Sequence, residues 1–381
     1  MHKIESFDGL RGLACIAVLL CHFLTAFFPL GMNYSYPGVA SVITSSHENI
    51  SLINTLISMP IISFFSNGSL AVCIFFTLSG SVLSKNAINT NQTSILARIN
   101  KRILRFYAPV SLSIIVSYIF FLSSQNENIL AGKITGSAWL SNFWVGDIPL
   151  SELLKEILYK SLFVGSSSLN PVVWTMKIEL LGSVLLMSYL YLTKNTPAWL
   201  KTINIIGLAI FMIEAFEYQS IYYALFFLGA SINNAVKVKS KTLLFIVFIS
   251  GLYLGTYCNA YGYININGVS FYDTKIIFNS IGSLLVVYSV HCGFATRVLS
   301  GGISKFLGRI SFSLYLIHFP LLMTYSTFFY IQFGNSPFAM ILNLTTTVAL
   351  TIILATIFYY LVDKKNMDFL KSLQIRKDLG L

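Results

Sequence analysis

Residues 7 to 23 read FDGLRGLACIAVLLCHF, with Asp8 and Arg11 at one end, His22 near the other and apolar residues between. Arg11 and His22 stand eleven residues apart. That is about three helical turns, so on a helix they share a face, separated by about 16 Å. Arg11 offers a permanent cation for an anion, and His22 a titratable base deeper in the segment. A long ligand with a charged head and a reactive tail fits that spacing. An anchoring arginine and a packed histidine are the plainer readings.

Further polar groups follow the same logic. In RINKRILRFYAP, Arg98, Lys101, Arg102 and Arg105 fall on one helical face, as a phosphate or headgroup contact or as a topological anchor. VVWTMKIELLGS carries Trp174, Lys177 and Glu179 at the outer start of a later span. GRISFSLYLIHFP sets Ser311, Tyr315 and His318 at i, i+4 and i+7, a polar stripe with a second intramembrane histidine. Ionisable groups inside apolar helices are costly, and this many together describe a reaction chamber.

The elements that must hold them are helices in a bilayer. The chain has 381 residues, 55% hydrophobic and 10% charged, with a mean hydropathy of +0.74. A soluble chain carries about 25% charged residues. Apolar runs of bilayer length predict an all-α polytopic bundle of about ten spans: 10–30, 68–84, 106–123, 172–193, 202–216, 219–236, 242–257, 275–293, 309–332 and 338–362. Pro60 and its polar neighbours make 50–65 a re-entrant or surface helix. Residues 10–30 are too long and evenly apolar for a cleavable signal.

With both termini in the cytoplasm, the cytoplasmic sides collect 20 of the 25 basic residues. Membrane topology thus accounts for the net charge of +11, and no nucleic-acid partner is implied. Residues 364–381 read as a short basic tail. Two long outer loops, 31–67 and 124–171, hold aromatic, Ser, Asn and Gly residues. Trp139, Phe143 and Trp144 there are suited to stacking on sugar rings or to lying at the membrane interface. The five cysteines lack metal-ligand or CxxC spacing, so neither a metal site nor a disulfide framework is expected.

The chain resembles the membrane-bound acyltransferase family 3, which includes O-antigen O-acetyltransferases. The likeness runs from about residue 7 to residue 363. It rests on Arg11 and His22; on CIFFTLSGSVL at 73–83; on KRILRFYAP with Lys101, Arg102, Arg105 and Pro109; on WTMKIE with Trp174 and Glu179; and on SFSLYLIH with Ser311, Tyr315 and His318. Leu180 stands where a second acid often follows, and Asp363-Lys364-Lys365 replaces a closing Glu-x-Pro, which puts a role for Asp363 in doubt.

The resemblance implies a transmembrane domain over 1–363 in a bacterial inner membrane, moving an acetyl group from acetyl-CoA to a hydroxyl of a lipid-linked or surface glycan. It implies no permanently bound cofactor. His22, Glu179 and His318 would be catalytic, with Arg11, Arg98, Lys101, Arg102, Arg105, Trp174, Ser311 and Tyr315 binding CoA or acceptor. A lipid-linked-sugar transporter is the main rival, although internal repeats with broken helices are not seen. A polysaccharide polymerase would be expected to carry paired arginines in a large outer loop, and loops 31–67 and 124–171 have no arginine. A noncatalytic interaction protein leaves the polar pattern unused.

Overall fold

The computed structural model describes residues 5–41, 52–88, 95–124, 126–215, 220–258 and 270–378. The structure is 83% helical, and an isolated bridge between Ala40 and Ser137 is its only β pairing among those residues. The principal helices are α1 (Glu5–Phe27), α2 (Gly68–Ile88), α3 (Ile95–Ser123), α4 (Trp174–Leu192), α5 (Ala198–Ala215), α6 (Ser220–Ser231), α7 (Lys241–Gly255), α8 (Phe271–His291), α9 (Gly302–Leu321) and α10 (Pro337–Phe358). Among the described residues six segments are long and apolar enough to cross a bilayer: α1, α2, α3, α4 with the turn before it, α9 with its continuation to Phe333, and α10 with its extension. The chain is an integral membrane protein. Within the described residues the other four expected spans contain helix without meeting that length and hydropathy, and residues 216 and 219 of two of them lie outside the described residues.

Residues 50–65 contain a short helix, Leu52–Ser58, and a 3-10 turn, Ile62–Ser66. The first residues of 50–65, and the last of the expected basic tail, lie outside the described residues. Loop 124–171 folds into short helices of its own, and its backbone pairs with the first long loop through Ala138 N to Val39 O (2.8 Å).

The core of the site is the contact between α1 and α9. A Cβ on Gly12 would stand 2.5 Å from the Gly308 nitrogen, and one on Gly308 would stand 2.1 Å from the Asp8 carbonyl oxygen. Backbones meet here because neither residue has a side chain to hold them apart. The two helices run parallel in a single register. Cys15 Sγ donates to Ser311 O (3.2 Å), and the same offset of 296 residues brings His22 to His318.

Two prolines interrupt helix interiors, and each is answered from elsewhere in the chain. A proline at position i cannot donate to the carbonyl of i−4. Pro320 in α9 leaves the Leu316 carbonyl free, and Asn170 Nδ2 takes it at 2.8 Å. Pro109 in α3 leaves the Arg105 carbonyl free, and Asn366 Nδ2 takes it at 3.2 Å. Each asparagine thereby docks its own segment onto the broken helix, Asn170 at a buried carbonyl and Asn366 at a part-buried one. The turn after Pro320, Leu322–Ser326, relaxes into a π-helix.

Candidate active site

Two cavities lie along the α1–α9 seam and share one wall residue, Tyr315. The first, about 330 Å³, is aromatic: His22, Tyr36, Trp139, Phe143, Trp174 and Tyr222 are among its lining residues. The second, about 400 Å³, is basic: Arg11, Arg102, Arg105 and Arg309 line it together with Asp8, Glu179 and Asp363. The Ser311–Tyr315–His318 stripe runs from one to the other. Ser311 lines the basic cavity, Tyr315 both, and His318 stands behind His22. Tyr315 Oη is 3.1 Å from both Thr175 Oγ1 and Val172 O, which fixes it as a septum between them.

In the aromatic cavity the histidines form a directed chain. His318 Nδ1 is 2.7 Å from the Tyr315 carbonyl oxygen, and a carbonyl only accepts, so that nitrogen carries the proton. In the neutral ring His318 Nε2 is then an acceptor. It lies 2.9 Å from His22 Nδ1, which must therefore be the donor. The remaining nitrogen, His22 Nε2, is left with a free lone pair. His318 is 1% exposed and does not line the cavity, so it acts through His22 by fixing its tautomer. Trp139 stacks on His22 from the other side, at 5.2 Å between ring centroids and 27° between planes. Trp139 and Phe143 are thus cavity walls, while Trp144 is buried in the core with its Nε1 donating to Leu169 O (3.0 Å).

The loop before α4 closes this chamber. Glu156 is buried and accepts from Ser167 Oγ and from Ser168 N (2.6 Å). Burial pushes its carboxyl above the usual carboxylate range, against the pull of those two donors. Ser167 Oγ in turn accepts from Asn170 N (2.8 Å), which aims Asn170 at the carbonyl freed by Pro320. Trp174 follows four residues later in the cavity wall. Asn170→Ala would leave the Leu316 carbonyl unsatisfied, a cost of about 1–3 kcal/mol. The expected result is a lower thermal midpoint of the detergent-solubilised protein together with reduced turnover. An unchanged midpoint would count against this docking role.

The basic cavity departs from the expected picture in three ways. Glu179 does not face the histidines: its Oε1 accepts from Arg102 Nη2 (2.6 Å) and Ser79 Oγ (2.7 Å) in the basic cavity. It holds Arg102, whose Nε also donates to Ser183 Oγ (3.0 Å) and whose guanidinium lies 4.5 Å from the centre of the Phe106 ring. Of the four cations on the first turns of α3, only Arg102 and Arg105 line the cavity; Arg98 and Lys101 do not. Asp363, whose part in the site the sequence left in doubt, is buried in an ion pair with Arg105. Arg11 lines the cavity with its Nη1 3.5 Å from Asp8 Oδ1. Sequence reasoning missed Arg309, which lines the cavity and makes no ion pair among the described residues. Its place one residue after Gly308, at the α1 contact, was the available signal.

The fold and the site define an integral membrane helical bundle in which a histidine pair faces an aromatic chamber and an arginine-rich chamber adjoins it. The family model for the acyltransferase 3 family, described as "Acyltransferase domain", matches residues 4–360, and the chain belongs to that family. It is an acyltransferase.

Its relatives include "Acyltransferase R4" of Phoma sp. (strain ATCC 20986 / MF5453), 22% identical over 84% of this chain and 82% of the relative. "Acyltransferase clz18" of Cochliobolus lunatus is 25% identical over the same shares. "O-acetyltransferase PaAT-1" of Phomopsis amygdali is 22% identical over 85% of this chain and 73% of its own length. No solved structure matches the chain at a comparable level.

Proposed function

We propose that the protein is a membrane O-acetyltransferase that takes acetyl from acetyl-CoA at the basic cavity and delivers it to a sugar hydroxyl in the aromatic chamber. The observation that carries this is the pair of cavities meeting at Tyr315, with arginines on one side and the bare His22 Nε2 on the other. Coenzyme A has phosphates at one end and a thioester at the end of a thin arm, and the two cavities that meet at Tyr315 match those two ends in chemistry. Arginines suit its phosphates through charge-assisted, bidentate bonds. Aromatic walls suit the apolar faces of a sugar.

The N-terminus of α1 and the basic cavity face the cytoplasm in this reading, with ten spans and both termini inside, as the positive-inside distribution favours. The acceptor is a glycan of the cell surface, such as an O-antigen or capsule repeat on a lipid carrier, acylated across a bacterial inner membrane. The third relative's printed name supports acetyl as the group and oxygen as its destination.

In the reaction, the acceptor hydroxyl gives its proton to His22 Nε2 as its oxygen attacks the thioester carbonyl carbon. Collapse breaks the C–S bond, and the departing thiolate recovers the proton. The products are the acetyl ester and free CoA.

The test uses proteoliposomes with labelled acetyl-CoA on the Arg11 side and a lipid-linked oligosaccharide acceptor in the bilayer. Label is expected on the glycan, and its absence with well-inserted protein would overturn the reading. In the same assay Arg309→Ala is expected to raise the KM for acetyl-CoA about tenfold, equal to about 1.4 kcal/mol, with kcat little changed. An unaltered KM would place the phosphates elsewhere.

A further inference from the structure

Acyl transfer creates negative charge on the thioester carbonyl oxygen, and neither histidine is placed to bind it. His318 is spent on His22, and His22 must take the acceptor's proton. We infer that Tyr36, backed by the buried Lys275, is the oxyanion-stabilising group of the aromatic chamber. This rests on the proposed transfer reaction and adds to it a residue from a different part of the chain.

The hydroxyl of Tyr36 is made into a donor by its neighbours. Its oxygen accepts from Ser69 N (3.1 Å) and from Ser69 Oγ (3.3 Å), which occupies both lone pairs. What remains is its own hydrogen. The nearest acceptor for it is Asn67 Oδ1 at 3.5 Å, an oxygen already receiving Leu70 N at 3.0 Å, and the Cys21 thiol beside it is a weak acceptor. A hydrogen so loosely held is available to a stronger acceptor entering the cavity. Tyr36, Cys21 and Ser69 line the same cavity as His22.

Lys275 supplies the field. It lies in α8, 4% exposed, with its Nζ donating to the Ser35 carbonyl and 3.4 Å from the centre of the Tyr36 ring. Among the described residues, the other charged or titratable neighbours that reach it are the thiols of Cys21, Cys73 and Cys258, and none is a carboxylate. When protonated, this amine sets a buried positive charge against the ring with no carboxylate among the described residues to neutralise it. Against the face of a ring that lines the cavity and holds its hydroxyl hydrogen loosely, that charge favours negative charge on an acceptor the hydroxyl turns to.

The acceptor oxygen bonds to the carbonyl carbon while its proton passes to His22. The carbonyl π pair moves onto the oxygen, which the Tyr36 hydroxyl holds. When the C=O bond reforms, the C–S bond breaks and His22 protonates the sulfur.

Tyr36→Phe keeps the ring over Lys275 and removes only the donor. In the proteoliposome assay kcat is expected to fall about 10²–10³-fold with the KM for acetyl-CoA nearly constant. Lys275→Met, which keeps chain length, is expected to lower kcat about tenfold. The double variant should be no slower than Tyr36→Phe alone, since the lysine acts through the tyrosine.

A packing role would instead lower the thermal midpoint and leave kcat per folded molecule intact. Wild-type kcat in Tyr36→Phe, with the wild-type enzyme active, overturns the inference and leaves the proposed reaction standing. If Tyr36→Phe does not fold, unchanged kcat in Lys275→Met overturns it. Failure of the wild-type enzyme to transfer acetyl removes both.

Discussion

His22→Ala abolishes the base and is expected to cost about 10²–10⁴-fold in acetyl transfer while acetyl-CoA still binds. The reason is positional. His22 Nε2 is the one ring nitrogen of the pair that the hydrogen-bond chain leaves bare, since the Tyr315 carbonyl and His318 account for the other three.

The companion variant His318→Leu tests the chain itself. It removes the acceptor of His22 Nδ1, so the His22 ring is no longer held in one tautomer or one orientation. Turnover should fall with the KM for acetyl-CoA unchanged, and His318→Gln, whose amide oxygen can accept from His22 Nδ1, should recover part of it. Equal turnover in Leu and Gln variants would show that His318 merely packs. Retained activity in His22→Ala, in protein shown to be inserted and monodisperse, would remove His22 from the chemistry altogether.

Relations within one helix were legible from the sequence, and relations between helices were not. Arg11 and His22 share a face because 3.6-residue periodicity says so, and the same arithmetic aligned Ser311, Tyr315 and His318. Bilayer-length apolar runs gave the helical membrane class. Spacing alone, however, does not say which helix a polar group will meet. Glu179 looked like a chamber acid because it sits near the start of its helix, yet Arg102 and Ser79 lie on its side of the bundle and hold it in the basic cavity. A role for Asp363 was in doubt because its motif is altered, yet α3 and the extension of α10 bring it to Arg105. Tyr36 and Lys275 are 239 residues apart in number and carry no shared motif, so only the packing of α8 against the first loop joins them. Asn170 is the intermediate case. A proline in a helix predicts a free carbonyl four residues earlier, but not which side chain will answer it.

The glycines of the α1–α9 seam decide whether any of this chemistry assembles. Gly308→Val is expected to lose nearly all activity and most of the folded protein. A Cβ there would sit 2.1 Å from the Asp8 carbonyl oxygen and 2.5 Å from the Asp8 carbonyl carbon, and both are backbone atoms that cannot swing aside. The helices would have to separate by about the missing ångström or more. Overpacking of this kind costs about 1–3 kcal/mol even where side chains can yield.

The separation also falls on the catalytic pair, because Gly308, Ser311 and His318 lie along the contact that sets Cys15 on Ser311 and His22 on His318. A displacement of 1 Å takes the 2.9 Å histidine contact beyond hydrogen-bonding distance. Gly302→Ala in the same helix is the control, since a Cβ there meets nothing within 4 Å, and it should leave thermal midpoint and turnover unchanged. Fluorescence-detected size exclusion across a temperature ramp, followed by turnover per folded molecule, separates the two effects. Wild-type behaviour of Gly308→Val in both would mean that α1 and α9 are not packed through these glycines and that the register placing His22 against His318 is wrong.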